Sequence, residues 1–210
     1  MRVLALWLAL TGPVLAEGDG AGNDRAGDFS HYILALSWQP TWCALEGEAR
    51  GAEECSWGRG FTLHGLWPQR EEGWPAFCRT VERDPSRGET GAMADVMAPG
   101  LAWYQWKKHG RCSALPPEAY FALMRDAVAA VAVPGPLRDL REDIELPPSV
   151  LEDAFIEANP GLSPDGITVT CAKGHIKEVR ICLTPDLAFR RCTPDARRDC
   201  GLERAKMDRP

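Results

Sequence analysis

The apolar and polar positions of the chain predict two groups of strands. Residues 29–38, FSHYILALSW, form a mostly apolar, β-prone run typical of a buried strand, and FTLHGLW (61–67) predicts a second strand that ends near His64. ITVTC (167–171) and IKEVRICL (176–183) alternate apolar and polar residues around Lys173-Gly174, which predicts a β-hairpin. LAFRRC (187–192) predicts a last short strand.

Three helices are predicted between these strand groups, at residues 92–108, 117–131 and 149–158. Pro117 suits the first turn of the second helix. Ser149 and Glu152 have capping-box spacing at the start of the third, which Asn159-Pro160-Gly161 would end. The order of elements therefore predicts an α+β fold with a central antiparallel sheet and helices packed on one side.

The first sixteen residues have the pattern of a secretory signal peptide. MRVLALWLALTGPVLA combines one basic residue with an apolar stretch and a small-residue ending. No later stretch has the length of a membrane span. We therefore expect residues 1–16 to be removed and residues 17–210 to form one exported domain, periplasmic or secreted, with no membrane contact.

Eight cysteines in an exported chain predict four disulfides. Spacing favours pairs within each part of the chain, although eight cysteines permit many other pairings. A metal site is the competing interpretation, but the chain has no Cys-x-x-Cys and no His-Cys pairing of zinc-site spacing. The favoured pairs are Cys43–Cys55, Cys78–Cys112, Cys171–Cys200 and Cys182–Cys192.

The net charge is −6, and it becomes −7 without the arginine of the signal. This sign argues against a broad basic face for nucleic acid, so any polyanion must be bound by a local cluster. The compact basic cluster with neighbouring aromatics is WYQWKKHGRC, residues 103–112.

On a helix, this cluster would present a cation, an amide and an imidazole together. Gln105, Lys108 and His109 stand at i, i+3 and i+4 and share one face, while Trp103 and Trp106 lie on a different stripe that can pack inward. Gly110 is placed to end the helix, and the carbonyl end of a helix favours a protonated histidine.

Two of the four histidines lie in the segments richest in tryptophan and glycine. An isolated histidine is usually structural, and we assign His31 and His175 to that class. A Cys78–Cys112 bridge would, however, bring His64 and His109 together. Such a pair can cleave RNA without a metal or cofactor: one imidazole takes the 2′-hydroxyl proton, the other protonates the departing 5′-oxygen, and a lysine stabilises the phosphoryl charge.

The same residues resemble the ribonuclease T2 family. FTLHGLWPQ is similar to its first conserved segment and WYQWKKHGRCS to its second, a Glu-Trp-x-Lys-His-Gly-Thr-Cys pattern, with weaker likeness in LSWQPTWC, FIEANPGL and EVRICL. The resemblance covers most of residues 29–183. It implies a disulfide-stabilised α+β fold and an endoribonuclease that acts on single-stranded RNA through 2′,3′-cyclic phosphates to 3′-phosphate ends, with low base specificity.

The resemblance also implies roles for individual residues. His109 would be the base, His64 the acid, and Lys108 the group that stabilises the pentacovalent phosphorus. The family's aromatic base-binding pockets suggest Trp38, Gln39 or Trp67 near the substrate. No metal, cofactor or protein partner is implied, and we expect a monomer.

Two positions depart from the family pattern. Gln105 stands where the family usually has glutamate, and Tyr104 where many members have a further histidine that touches phosphate. Gln105 can donate a hydrogen bond but carries no charge. Three hypotheses therefore stand: a metal-independent endoribonuclease, an RNA-binding protein of the same fold that is weak or inactive, and a zinc hydrolase that uses the same histidines.

Overall fold

The computed structural model describes residues 24–138 and 140–210, so the predicted signal peptide lies outside the described residues. The strands are β1 (His31–Trp38), β2 (Phe61–Gln69), β3 (Ile144–Leu146), β4 (Ile167–Ala172), β5 (His175–Leu183) and β6 (Ala205–Met207). The helices are α1 (Gln39–Trp42), α2 (Arg87–Gly91), α3 (Pro99–Lys108), α4 (Pro117–Ala129), α5 (Gly135–Arg138) and α6 (Pro148–Ala158). No helix within the described ranges is long and apolar enough to span a bilayer.

The strands form one sheet in the order β2-β1-β5-β6-β3, with β4 also paired to β5. The pairings are antiparallel except for a single parallel one between β5 and β6. The predicted α+β fold is confirmed, and the sheet is mixed only through that short contact.

Two faces of the sheet bury different partners. Leu34 and Val179 lie on the face packed against Tyr120 and Phe155 of the helices. Ile33, on the opposite face, packs with residues of the segment after β5. Because β1 is covered on both sides, its sequence is a continuous apolar run without alternation.

A β-bulge sets the position of His64. Ala35 pairs with Gly65, whereas Leu36 pairs with Leu63, so His64 is the extra residue on β2. The prediction that the strand ends near His64 was wrong, because β2 continues to Gln69. A bulge bends the strand and redirects the side chain of the inserted residue, and bulges are common beside active sites.

Two predicted helix starts were wrong for local reasons. Helix α3 begins at Pro99, because proline disfavours helical backbone in the residue before it, and Ala98 is extended with ψ 139°. Helix α6 begins at Pro148, so Ser149 is already inside it. The capping box occurs instead at the start of α2, between the N-cap residue Ser86 and Glu89 of its first turn.

The hairpin of β4 and β5 confirms the predicted turn. Lys173 and Gly174 have φ of 48° and 86°, the left-handed values that a tight hairpin turn requires. The strand predicted at 187–192 was wrong: Phe189 forms only an isolated bridge with Leu183. The last strand is β6, three residues within the charged tail.

Four disulfides tie the described chain together, and they coincide with the pairs favoured by spacing. They are Cys43–Cys55, Cys78–Cys112, Cys171–Cys200 and Cys182–Cys192. For the 34-residue separation of the second bond, the chain-entropy model gives a stabilisation of about 3–4 kcal/mol.

Candidate active site

One cavity of about 260 Å³ collects most of the predicted site residues. Strand β2 contributes His64, Trp67 and Gln69, and the end of α3 contributes Tyr104, Gln105, Lys108 and His109. The sequence predicted that Gln105, Lys108 and His109 share a helix face, and all three line this cavity.

A covalent bond and a hydrogen bond hold the two motifs in place. Cys78, shortly after β2, is bonded to Cys112 in the turn after α3. Close by, the backbone N–H of Phe77 donates to the carbonyl of Lys108 at 2.8 Å. The end of α3 is therefore anchored directly beside the segment that follows the first motif.

Trp67 contacts both imidazoles. Its ring centroid is 5.1 Å from that of His64, edge to face, and 5.3 Å from that of His109, nearly parallel at 27°. Its Nε1 donates to Oε1 of Gln105 at 2.8 Å. The two histidines thus lie against one indole that is itself fixed to α3.

Gly65 allows this hydrogen bond to form. A Cβ at position 65 would collide with Oε1 of Gln105 and Nε1 of Trp67. Any other residue would separate β2 from α3 or break the bond, so the glycine after His64 is a packing requirement of the site.

His109 is held in its neutral form. The residue is 6% exposed, and burial, helped by the charges of Lys108 and His64, lowers its pKa to about 3. The expectation that the helix end favours protonation was wrong, because desolvation outweighs a dipole worth at most about 2 kcal/mol. Nδ1 is buried without a hydrogen-bond partner among the described residues, which leaves Nε2 to face a substrate.

His64 is more exposed to solvent than His109, and a carboxylate binds its Nδ1. Its side chain is 30% exposed, and Nδ1 lies 2.5 Å from Oε1 of Glu178, which is completely buried on β5. Hydrogen bonds from His64 and Arg180 lower the pKa of Glu178 to about 2 in spite of its burial. Glu178 is therefore ionised, and Nδ1 of His64 is the nitrogen that bears the shared proton.

Sequence reasoning missed Glu178 and Arg180. The likeness of the EVRICL segment to the family assigns no role to either residue. A usable signal was present, because two charged residues two positions apart in an apolar strand project from the same face. Arg180 lines the cavity, and its guanidinium lies 5.2 Å from the centroid of the Trp67 ring.

Lys108 and two aromatic residues complete the wall of the cavity. Lys108 forms no ion pair within the part of the chain that the structure describes, so its ammonium is available to an anion. Tyr104 and Trp74 are about half exposed, at 48% and 50%, and present aromatic faces at the rim.

Trp38 and Gln39 lie outside this cavity. Trp38 is fully buried and donates from Nε1 to the carbonyl of Asp208 at 2.8 Å, so the suggestion that it contacts substrate was wrong. Gln39 lines a second cavity of about 470 Å³, which His64 also lines. The two cavities therefore meet at His64.

The other two histidines do not line either cavity. His31 is fully buried in β1, and burial lowers its pKa to about 4. His175 binds Asp208 through Nδ1 at 2.7 Å. The burial of His31 and the ion pair of His175 fit the structural roles expected for these residues.

The chain is similar in sequence to known ribonucleases. A ribonuclease of Aeromonas hydrophila is 36% identical over 141 residues, which cover 67% of this chain and 56% of that protein. The chain spans about half the length of the curated relatives it matches.

Solved structures share the fold at lower identity. An RNase-related protein from Calystegia sepium has a TM-score of 0.67 at 20% identity, covering 86% of this chain and 97% of that one. RNase NT, solved with 5′-AMP, has a TM-score of 0.61 at 22% identity, covering 87% and 98%. Since residues 29–192, well over half of the chain, match the model of the Ribonuclease T2 family, the chain belongs to the Ribonuclease T2 family.

Proposed function

We propose that this protein is a metal-independent endoribonuclease that cleaves single-stranded RNA. The observation that carries the proposal is that two imidazoles in different environments line one cavity beside the ammonium of Lys108, which has no ion-pair partner among the described residues. His109 is neutral and suited to accept a proton. His64 donates its Nδ1 proton to the carboxylate of Glu178 in a hydrogen bond and can release a proton from Nε2.

The reaction follows from these groups. His109 takes the proton of the ribose 2′-hydroxyl, the 2′-oxygen forms a bond to phosphorus, and the bond from phosphorus to the 5′-oxygen breaks. His64 gives its Nε2 proton to that leaving oxygen, and Lys108 stabilises the charge on the phosphoryl oxygens. Water then opens the 2′,3′-cyclic phosphate by the reverse roles, which leaves a 3′-phosphate. DNA lacks the 2′-hydroxyl and is inert by this route.

The aromatic surfaces support low base specificity. Trp67, Trp74 and Tyr104 line the smaller cavity, and stacking on aromatic side chains tolerates every base. The larger cavity, with Gln39 and His64 in its wall, has room for the nucleoside on the other side of the scissile phosphate.

We also propose that residues 17–210 act as one catalytic domain, as a monomer, after export to the periplasm or beyond the cell. Four disulfides support this proposal, because such bonds persist in oxidising compartments and are rare in the cytosol.

Incubation of the purified protein with polyuridylate in excess EDTA tests the activity. We expect cleavage with 2′,3′-cyclic phosphate appearing before 3′-phosphate ends. Tight binding with intact RNA would instead support the inactive RNA-binding alternative, which the buried, uncharged Gln105 motivates. Loss of cleavage in EDTA would support the zinc hydrolase.

Replacing Gln105 with glutamate should raise activity at neutral pH several-fold. The carboxylate would still accept the Trp67 hydrogen bond, and its charge would raise the pKa of His109 from about 3, giving a stronger base. In the wild type, the acidic limb of the kcat/KM profile should lie near pH 3, where His109 gains a proton, and in Q105E this limb should move to higher pH.

The measurement is the pH profile of kcat/KM for Q105E and for Gln105→Ala, which removes both the bond to Trp67 and the buried side chain. A large loss in Q105E, equal to that of the alanine variant, would show that the site is built around the amide.

A further inference from the structure

Glu178 is a buried charge at the centre of the sheet. It lies on β5 opposite Ser37 of β1, and it is 0% exposed. Burying an ionised carboxylate is unfavourable unless it is paired and hydrogen-bonded. A carboxylate in this position therefore requires a compensating arrangement, and its partners indicate what it does.

Two residues that line the active-site cavity bind the carboxylate of Glu178. Oε1 contacts Nδ1 of His64 at 2.5 Å, and Oε2 accepts from Nε of Arg180 at 2.6 Å. The hydroxyl of Ser37 is a weaker third contact, 3.5 Å from Oε1. Each carboxylate oxygen thus has a close cationic or N–H partner, and both partners line the cavity.

His64 needs such a partner because of the bulge. As the inserted residue on β2, it has no opposite residue on β1 to fix its direction. Trp67 contacts the ring edge to face, which limits its position but does not select which nitrogen carries the proton. The Glu178 contact does so, because an ionised carboxylate accepts only from a protonated Nδ1.

We propose that Glu178 is the positioning residue of the catalytic acid: it orients His64 so that Nε2 faces the leaving 5′-oxygen, and it holds Arg180 beside Trp67 in the same wall. This inference rests on the proposed ribonuclease function. It also identifies a buried carboxylate in a site whose second motif lacks the family glutamate, although here the carboxylate acts on the first-motif histidine.

Two substrates with different leaving groups test the proposal. Cleavage of uridylyl-3′,5′-uridine needs a proton on the departing alkoxide, whereas uridine 3′-(4-nitrophenyl phosphate) releases a phenolate that needs little help. Glu178→Gln should reduce kcat/KM for the dinucleotide on the order of 10²-fold. For the aryl ester, kcat/KM of E178Q should fall by less than about threefold, since His109 and Lys108 are unchanged.

Reference variants make the result specific. His64→Ala should show the same selective loss of kcat/KM on the dinucleotide as E178Q. His109→Ala should lose activity on both substrates. Glu152→Gln is the matched control, since Glu152 is a half-buried glutamate that accepts from the backbone N–H of Val169 at 3.1 Å and lines neither cavity. It should keep both activities.

Each outcome has a separate meaning. Equal losses on both substrates in folded E178Q would overturn the positioning role. Failure of the wild type on both substrates would overturn the ribonuclease function itself.

If E178Q does not fold, nitrogen NMR of the wild-type imidazoles decides the matter. Neutral His64 should carry its proton on Nδ1, and a neutral ring protonated on Nε2 would overturn the proposal.

Discussion

His109→Ala should reduce kcat/KM for RNA by about 10²–10⁴-fold without unfolding the protein. The side chain is buried against Trp67, and burial keeps it in the neutral form that can accept the 2′-hydroxyl proton, so the variant loses the proposed base. His64→Ala should produce a loss of similar size on RNA, because the leaving oxygen then departs without its proton. Initial rates on polyuridylate, with circular dichroism to verify folding, measure both effects.

The double variant and a distant histidine complete this experiment. Because the two imidazoles act in one step, H64A/H109A should be little worse than the poorer single variant. His175→Ala serves as the control, since His175 pairs with Asp208 away from the cavity and should retain activity. Losses that multiply in the double variant would contradict a concerted acid and base pair.

Trp38→Ala should destabilise the protein by about 3–5 kcal/mol, the range for a fully buried tryptophan. Trp38 packs edge to face on Phe61 and its indole N–H binds the Asp208 carbonyl, so the substitution opens a large void and leaves that carbonyl unpaired. In a chain of this size the melting temperature should fall by on the order of 10 °C. Thermal denaturation followed by circular dichroism measures the change.

An exposed tryptophan separates this effect from loss of aromatic content. Trp103 is 42% exposed and contacts Lys107, so Trp103→Ala should change stability by less than about 0.5 kcal/mol. If the fully folded W38A variant lost RNA affinity at unchanged melting temperature, Trp38 would be a substrate contact after all.

Local sequence patterns predicted much of the fold. The run before Trp38, the alternation around Lys173-Gly174 and the proline at the start of α4 each determine structure through neighbouring residues. The strand predicted around Phe189 does not form because Leu187 has a left-handed backbone with φ 66°, although both side chains pack against the core. Strand β6 was missed because three residues in a charged tail carry no periodicity.

The site residues that lie in local motifs were predictable from the sequence, whereas those that depend on long-range contacts were not. His64, Lys108 and His109 could be found because each lies in a compact motif, and spacing placed Gln105 on their face. Glu178 could not, since it is 114 residues from His64 and nothing local pairs them. The sequence also predicts the wrong charge state for His109. Its position at a helix end is visible in the sequence, whereas the burial that lowers its pKa depends on packing by Trp67 of strand β2.

The Cys78–Cys112 bond has a consequence for the cell that makes this protein. Until the bond forms, only non-covalent contacts, among them the hydrogen bonds from Phe77 to Lys108 and from Trp67 to Gln105, keep the second motif beside the first. Cytosolic glutathione keeps thiols reduced, so a newly synthesised chain next to ribosomes and messenger RNA lacks this covalent link. If the protein is exported as proposed, oxidation in that compartment completes the covalent framework of the candidate active site away from the producing cell's own transcripts.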